Sequence, residues 1–168
     1  MYIFGGRDSQ DEAFGKLIIL KIQFNLQGEL TYKYQTPATL GKAPSARYCH
    51  TQNFYREGNF MIIAYGRNDK DKNPSNVILN DIWILKLASL EWQQVKHFDQ
   101  SGDAPMPRFN HCSMILGSRL LIVGGIGEGF KITKDIQEIE IDQQKICKST
   151  MQLKFKDEER EESLPILH

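Results

Sequence analysis

A thiol and an imidazole stand side by side at Cys49-His50, the residue types that a cysteine nucleophile and its general base require. The surrounding sequence has the character of a strand, and successive residues of a strand point to opposite faces of the sheet. We therefore expect that Cys49 and His50 do not form a catalytic pair.

The glycine-rich run at 124–129, Gly-Gly-Ile-Gly-Glu-Gly, follows a hydrophobic stretch, as dinucleotide-binding loops do. A dinucleotide site also needs a helix directly after the glycines, and no helical pattern follows this run. The chain lacks a Gly-x-x-x-x-Gly-Lys-Ser/Thr loop, a Gly-x-Ser-x-Gly elbow and a Cys-x-x-Cys pair. We therefore predict that this chain is not an enzyme and binds no cofactor.

Two of the four histidines, His50 and His111, belong to an internal repeat. The segment 44–50, Pro-Ser-Ala-Arg-Tyr-Cys-His, returns 61 residues later as 105–111, Pro-Met-Pro-Arg-Phe-Asn-His. No carboxylate or thiolate cluster recurs beside these histidines, as a metal site would require. We therefore expect both histidines to have structural roles and predict no metal site.

A second repeated motif is a hydrophobic run that ends in glycine, found at 2–7, 62–67 and 121–126. Its last glycines, Gly6, Gly66 and Gly125, are 60 and 59 residues apart. Self-similarity at a fixed period indicates stacked supersecondary units. The clearest unit has four apolar stretches of strand length, separated by turn residues, and four antiparallel strands make one blade of a β-propeller. We place these four strands after Arg47, at 59–65, at 79–85 and at 90–95, and their counterparts at 109–115, 119–123, 135–141 and 145–150.

These motifs resemble the kelch repeat over roughly residues 1–150. The resemblance rests on the Arg-aromatic-x-His start, the run ending in diglycine, the Asp-Ile-Trp of the third strand and the tryptophan that follows it. Tyr65-Gly66 replaces one diglycine, and Tyr32 stands 60 residues before Trp92. The resemblance implies an all-β fold, a partial kelch-type β-propeller of about three four-stranded blades, with large aromatics between blades. We further expect Arg47 and Arg108 to bridge neighbouring blades.

The same spacing predicts the domain organisation. Blade 1 is incomplete and covers 1–40, blade 2 covers 41–100 and blade 3 covers 101–150. Residues 151–168 form a charged tail, in which Met151, Leu153 and Phe155 alternate with polar residues and could add one strand.

Composition excludes several classes of partner. The 168 residues carry 21 basic and 21 acidic side chains, so we predict neither a nucleic-acid nor an anionic-membrane partner. There is no apolar run long enough for a transmembrane helix. The odd, unpatterned set of three cysteines argues against a disulfide framework, and we predict an intracellular, cytoplasmic protein.

Three blades are fewer than the four to eight of closed propellers. Three explanations stay open: a piece of a larger kelch protein, a propeller completed by a second copy or another chain, and a short open array packed on a partner. Open ends expose strand edges and apolar faces, so we expect that the isolated chain is not a monomer.

Loops on a rigid scaffold commonly carry binding sites, and in kelch-like propellers the loops after the second strands share one face. Arg7 and Arg67 follow glycines at matching positions, and arginine forks suit carboxylates on a peptide partner. The alternative interpretation of these loops is a solvated charged surface. The partner-binding candidates are Arg7, Asp8, Arg67, Asn68, Asp69, Lys70, Asp71 and Lys72. We interpret the chain as a non-catalytic protein-interaction module or scaffold subunit. The alternative is a regulatory kelch portion of an enzyme or ubiquitin-ligase adaptor whose other domains lie outside this chain.

Overall fold

The computed structural model of the protein describes residues 1–72, 77–95 and 106–141, together with the backbone of residues 155–156. Within these residues the chain is all-β and forms three antiparallel sheets. Sheet 1 contains β1 (Tyr2–Phe4), β2 (Leu17–Phe24) and β3 (Leu30–Gln35). Sheet 2 contains β4 (Thr51–Tyr55), β5 (Phe60–Arg67), β6 (Ile78–Lys86) and β7 (Glu91–Val95). Sheet 3 contains β8 (Cys112–Leu116), β9 (Arg119–Ile126), β10 (Ile132–Glu140) and β11 (Phe155–Lys156), with a 3-10 turn at Glu128–Phe130.

Each sheet is a meander, because strands that follow one another in the chain are hydrogen-bonded neighbours. This is the strand order of a propeller blade. Sheets 2 and 3 have four strands, whereas sheet 1 has three and lacks, among the described residues, a counterpart of β4 and β8. The predicted all-β partial propeller of about three blades is confirmed, and none of its sheets closes on itself.

The first strand of a repeat begins later than the sequence predicts, at Thr51 in sheet 2 and at Cys112 in sheet 3. Cys49 and Asn110, which occupy matching positions, both have a φ of 53°, and this left-handed conformation interrupts an extended chain. The prediction that Cys49 and His50 lie in a strand is therefore wrong, because β4 begins only at Thr51.

The fourth strand of sheet 3 is β11, in which Phe155 pairs with Ile139 of β10. The strand predicted at 145–150 lies outside the described residues. The structure thus uses a segment that the sequence assigns to the tail, where alternating apolar residues indicate one more strand.

The core consists of two clusters, one at each junction between sheets. Sheet 2 contributes to both of them, and the first seven of the eight residues of its strand β5 are buried. The cluster between sheets 1 and 2 contains Phe4, Leu17, Met61, Ile63, Trp83, Leu85 and Trp92. The cluster between sheets 2 and 3 contains Phe60, Ile62, Ala64, Tyr65, Ile82, Ile84, Leu120, Ile122 and Ile139 among others. Each cluster joins residues that are distant in sequence, so neighbouring sheets fold against each other.

Trp92 is buried and lies 5.1 Å from the ring of Phe4, centroid to centroid, as expected for an aromatic between blades. Tyr32, its predicted counterpart, is 69% exposed. The strand register explains why: Trp92 pairs with Leu85, and the residue that pairs with the matching Leu20 is Tyr34. Neither tyrosine is buried, because no described sheet precedes sheet 1.

Tyr65-Gly66 adopts the backbone conformation of the diglycine that it replaces. Tyr65 has a φ of 56° and Gly66 a φ of 108°. A Cβ on Gly66 would lie only 2.8 Å from Cβ of His50, so the repeat requires glycine here. Tyr65 tolerates its strained backbone because its ring is fully buried and its hydroxyl donates to Oε1 of Gln137 at 2.9 Å.

Candidate functional site

In each of the last two repeats, a buried arginine that precedes the first strand binds a carboxylate on the third strand. We call these pairs the arginine clamps. Nη1 and Nη2 of Arg47 donate to the two carboxylate oxygens of Asp81 at 2.6 and 2.9 Å. Nη1 also donates to the carbonyl of Tyr65 at 3.0 Å. Arg108 repeats the arrangement on Asp135 at 2.7 and 2.8 Å and on the carbonyl of Gly124 at 3.0 Å.

The sequence predicts that Arg47 and Arg108 bridge neighbouring blades, but their side chains do not. Each guanidinium binds a carboxylate of its own repeat. The main chain of both arginines does bridge neighbouring blades. The carbonyl of Arg47 accepts from the amide of Gly6 at 2.9 Å, and that of Arg108 accepts from Gly66 at 3.0 Å. Each clamp arginine therefore joins its own sheet through the guanidinium and the preceding sheet through the backbone.

The clamp carboxylates are ionised because of their arginines. Burial alone would raise the pKa of Asp81, but the hydrogen bonds and charge of Arg47 hold it below its ordinary value, helped by the Trp83 indole. Hydrogen bonds from Arg108 lower the pKa of Asp135 in the same way. A charge that is fully neutralised inside its own sheet offers little to a ligand, so the clamps are structural.

The two repeat histidines are held neutral inside the sheet junctions. Burial, together with the nearby clamp arginines, lowers the pKa of His50 and of His111 to about 4. Nε2 of His111 is 2.9 Å from the hydroxyl of Thr51, across the junction between sheets 2 and 3. Groups of three or more metal-ligand side chains do not occur in the described part of the chain.

The loop face is the surface formed by the loops that follow β1, β5 and β9. Arginines and aromatic rings alternate along it, but two of the rings lie beneath the surface: Tyr48 is 5% exposed and Phe109 2%, whereas Phe130 is 68% exposed. The Arg7 guanidinium lies 4.9 Å from the ring centre of Tyr48, and that of Arg67 lies 5.8 Å from the same ring. Arg67 also lies 4.2 Å from Phe109 and 5.5 Å from Phe130. This stack of cation–π contacts crosses all three sheets.

Arg7 and Arg67 make equivalent contacts, as their matching positions after glycine predict. Each covers the aromatic residue that begins the next repeat, Tyr48 for Arg7 and Phe109 for Arg67. Their exposure differs. The side chain of Arg67 is 15% exposed and bonded to Asp69, whereas that of Arg7 is 50% exposed and paired with Asp11 at 2.5 Å. Arg7 is therefore the more accessible of the two cations.

The structure brings the other predicted site residues into two adjacent loops, where several are bonded internally. Oδ1 of Asp8 accepts from the amides of Gln10 and Glu12, each at 2.9 Å. Nζ of Lys70 is 2.7 Å from Oε1 of Glu12, which ties the second loop to the first. Three further candidates complete the set: Asn68 accepts from the amide of Lys70, the amide of Asp71 donates to the carbonyl of Asn68, and Lys72 is exposed.

The aromatic rings that pack against these arginines are not predicted by the pattern of charged loops. Tyr48 and Phe109 were assigned to strands, and Phe130, which is 68% exposed, received no role. The available signal was that an aromatic follows each repeated arginine, Arg47 and Arg108. The Tyr48 hydroxyl is buried, and burial together with its interaction with the Asp69 carboxylate raises its pKa.

A cleft of about 520 Å³ lies beside the free edge of β1. Part of that edge is already satisfied by a side chain of sheet 2. Gln52 donates to the carbonyl of Tyr2 at 2.6 Å and accepts from the amide of Phe4 at 3.2 Å. The Gln52 amide thus pairs with β1 as the backbone of a fourth strand would. The cleft is lined by Met1, Tyr2, Gln52, Asn53, Phe54, Asn59, Met61 and Leu87.

Three meandering sheets with a repeated arginine clamp and glycine-ended second strands define a β-propeller built from sequence repeats. The particular family follows from a family model, the KLHDC2/KLHL20/DRC7 Kelch-repeats domain, which matches residues 1–164. The chain belongs to the kelch-repeat family. Kelch-repeat domains are generally non-catalytic modules that bind proteins.

Curated relatives contain a similar segment within much longer chains. A probable serine/threonine-protein kinase of Dictyostelium discoideum is 34% identical over 127 residues, 75% of this chain and 8% of that protein. Host cell factor of Drosophila melanogaster is 32% identical over 96 residues, 55% of this chain and 6% of that protein. Acyl-CoA-binding domain-containing protein 5 of Arabidopsis thaliana is 27% identical over 125 residues, 74% of this chain and 17% of that protein. The chain thus spans less than a fifth of each of these relatives.

In the portion of the chain with described coordinates, we find no helix with the length and apolarity needed to cross a lipid bilayer.

Proposed function

We propose that this chain is a non-catalytic protein-interaction module and that its loop face binds an acidic segment of a protein partner. The observation that carries the proposal is the stack of Arg7, Tyr48, Arg67 and Phe109 across neighbouring repeats. Arginine and aromatic residues are enriched at the centres of protein interfaces, where a few of them supply most of the binding energy.

Arg7 is the group that we expect to meet the partner first. Its salt bridge to Asp11 lies at the surface, and exposed pairs of this kind contribute little stability, so a partner carboxylate can displace Asp11 at small cost. Arg67 is held between Tyr48 and Phe109 and is already paired with Asp69, so it fixes the surface behind Arg7 and leaves Arg7 as the accessible cation. Lys72 is exposed in the second loop and extends the cationic part of the face.

The Tyr48 ring separates the two guanidinium groups. Tyr48 and Phe109 are buried and fixed by packing, so they hold the two arginines in place before the partner arrives. A partner carboxylate that displaces Asp11 would accept charge-assisted hydrogen bonds from the Arg7 guanidinium beside the Tyr48 ring.

Titration calorimetry with a glutamate-rich peptide and its glutamine counterpart tests the proposal. We expect the glutamate peptide to bind more tightly, the difference to shrink with added salt, and Arg7→Glu to abolish the difference. Lys21→Glu is the matched control, because Lys21 is exposed on β2 and adds the same charge change away from the loop face. Equal binding of both peptides, or equal losses in both variants, would refute the proposal.

A physiological partner is sought by native co-purification. The tagged full chain, the Arg7→Glu variant and the Lys21→Glu control are compared by quantitative mass spectrometry. Proteins that the wild type and the control retain and the Arg7→Glu variant loses are the expected partners. Completion of the propeller by another chain, a second copy included, is part of the proposal, and we propose no nucleic-acid or membrane partner.

The alternative function is a regulatory kelch portion of a larger protein, such as an enzyme or a ubiquitin-ligase adaptor. The observation that favours it is the small share, 8% and 6%, that the matching segment occupies in the kinase and in host cell factor. A full-length transcript that encodes a catalytic or adaptor domain next to this segment would support the alternative. We propose that the chain alone, in either case, has no catalytic activity.

A further inference from the structure

The two terminal sheets each have one face that no described element covers. We call the outer face of sheet 1 the start face and the outer face of sheet 3 the end face. Cross-strand pairing identifies the start face, since Ile3 pairs with Ile18, and Leu20 pairs with Tyr34. It identifies the end face in the same way, because Val123 of β9 pairs with Ile136 of β10. Both faces are apolar at these positions.

The junction between sheets 1 and 2 shows how such faces pack. Sheet 1 contributes Phe4 and Leu17, which pair across β1 and β2. Sheet 2 contributes a different set of positions, in which Ile63 pairs with Trp83 and Leu85 pairs with Trp92. The two sets form one buried cluster. The junction therefore joins the face of sheet 1 that carries Phe4 and Leu17 to the face of sheet 2 that carries Ile63, Trp83, Leu85 and Trp92. We call these the Phe4-type and the Trp92-type faces.

The end face of sheet 3 is equivalent to the face of sheet 1 that carries Phe4 and Leu17. Val123 follows Phe4 by 119 residues, the offset that also separates Gly6 from Gly125. Ile136 pairs with Val123 as Leu17 pairs with Phe4. Val123 is 42% exposed and Ile136 is 57% exposed, whereas Phe4 and Leu17 are each 3% exposed. Val123 and Ile136 of the end face thus stand at positions that are buried in the junction between sheets 1 and 2.

The start face of sheet 1 is equivalent to the face of sheet 2 that carries Trp83 and Trp92. By register, Ile3 and Ile18 match Ile63 and Trp83, and Leu20 and Tyr34 match Leu85 and Trp92. Trp92 is 4% exposed in its junction, while Tyr34 is 73% exposed. The chain therefore presents, at its two ends, both halves of a junction of the type that it forms internally.

We infer that two copies of this chain join head to tail, the end face of each packing on the start face of the other. Two copies supply six sheets, which is within the range of closed propellers. The pairing is a cyclic dimer with two identical junctions, so no apolar face remains open. The chain has a formal net charge of zero, so the two copies do not repel each other.

Two charged residues of the end face depart from the internal pattern: Arg119, which stands 59 residues after the buried Phe60, and Glu138. Glu138 pairs with Leu121, and the matching residue of sheet 2 is the buried Ile84. Its charge is matched within the sheet, since Oε1 of Glu138 is 2.6 Å from Nη1 of Arg119. Arg119 and Glu138 bring a paired charge to this face, so the junction can form without burying an unpaired one.

Sedimentation velocity of the full chain across a concentration series tests the inference, with two variants that each charge one face. Tyr34→Glu charges the start face and Ile136→Glu the end face. Both side chains are largely exposed in the single chain, so circular dichroism should show folded variants. Gln35→Glu is the matched control, on the neighbouring residue of β3, which points to the opposite face.

We expect the wild type and Gln35→Glu to form dimers, and each face variant alone to be monomeric. An equimolar mixture of Tyr34→Glu and Ile136→Glu should form a heterodimer, because one junction in that pair is free of both charges. Monomers at every concentration would overturn the inference, as would a dimer that Ile136→Glu leaves intact or a series of ever larger oligomers. Peptide binding at the loop face is measured separately, so either proposal can fail without the other.

Discussion

Removal of the Arg47 side chain is expected to destabilise the fold more than removal of Arg108, although both arginines are fully buried. The two clamps have the same geometry, with carboxylate distances of 2.6 and 2.9 Å in one and 2.7 and 2.8 Å in the other. They differ in the carboxylate that would be left behind. The Asp81 side chain is 19% exposed, and the Asp135 side chain is 43% exposed.

The magnitude follows from that difference. Breaking a buried pair by removing one partner costs about 3–5 kcal/mol, because the remaining charge is poorly solvated. Arg47→Ala should therefore cost about 3–5 kcal/mol, although the Trp83 indole still donates to Asp81. Asp135 can be hydrated, so Arg108→Ala should lose mainly charge-assisted hydrogen bonds, worth about 1.5–3 kcal/mol. We expect a difference of about 1–2 kcal/mol between the variants.

Urea unfolding followed by tryptophan fluorescence measures both variants, because Trp83 and Trp92 lie in sheet 2, and circular dichroism monitors the whole chain. The double variant Arg47→Met/Asp81→Asn removes both charges and should recover part of the loss. The penalty should also shrink in acid. The folded pKa of Asp81 is lowered, so its contribution to stability is present above the unfolded value of about 3.9 and is lost as the pH falls through the folded value.

Equal losses for Arg47→Ala and Arg108→Ala would refute this reasoning, because exposure of the carboxylate would then not decide the cost. A loss below about 1 kcal/mol for Arg47→Ala would show that Asp81 is solvated without its arginine.

Three further predictions concern the junctions. Trp92→Ala should cost about 3–5 kcal/mol, whereas Tyr34→Ala, at a matching but exposed position, should cost under about 0.5 kcal/mol in the monomer; unequal losses in urea unfolding confirm the register. Tyr65→Phe removes only a buried hydroxyl bonded at 2.9 Å and should cost about 1–2 kcal/mol in the same assay, and no loss would contradict that bond. His50 and His111 have folded pKa values of about 4, below the ordinary 6.5, so the unfolded chain binds more protons between these values. Stability should therefore fall as the pH drops from about 6.5 towards 4, and resonances assigned to His50 and His111 that titrate near 6.5 in the folded protein would contradict the burial of both rings.

The fold could be predicted from the sequence because the repeated residues occupy positions where the structure accepts few other residue types. Arg47 and Arg108 fill buried positions that only a guanidinium with a facing aspartate satisfies, and Gly66 stands where a Cβ has no room. Spacing between such residues is therefore constant, and it identifies three sheets and their order.

The spacing of the repeat predicted the wrong counterpart of Trp92, because two loops of sheet 1 differ in length from those of sheet 2 in opposite directions. Tyr32 lies 60 residues before Trp92, but a shorter loop before β2 and a longer hairpin after it shift the true match to Tyr34. The left-handed backbone at Cys49 was equally invisible, because it depends on how the repeat start bends into β4 rather than on a glycine.

The candidate site could be predicted only as a set of loops. Sequence identified Arg7 and Arg67 by their positions, yet their contacts with Tyr48 and Phe109 join residues about 40 apart. The link from Lys70 to Glu12 spans 58 residues. Side-chain pairing across such separations is set by the stacking of the sheets, so a linear pattern of charges cannot show which residues are already engaged.

The double attachment of the clamp arginines bears on how the array unfolds. In repeat proteins, stability is roughly the sum of the stabilities of the units and of the interfaces between nearest neighbours. Arg47 and Arg108 contribute to both quantities at once, since the guanidinium closes one unit and the carbonyl accepts from the glycine of the unit before it. A sheet that opens its clamp also releases the edge of its neighbour. The three sheets should therefore melt in one cooperative transition, without a stable intermediate in which one sheet has detached.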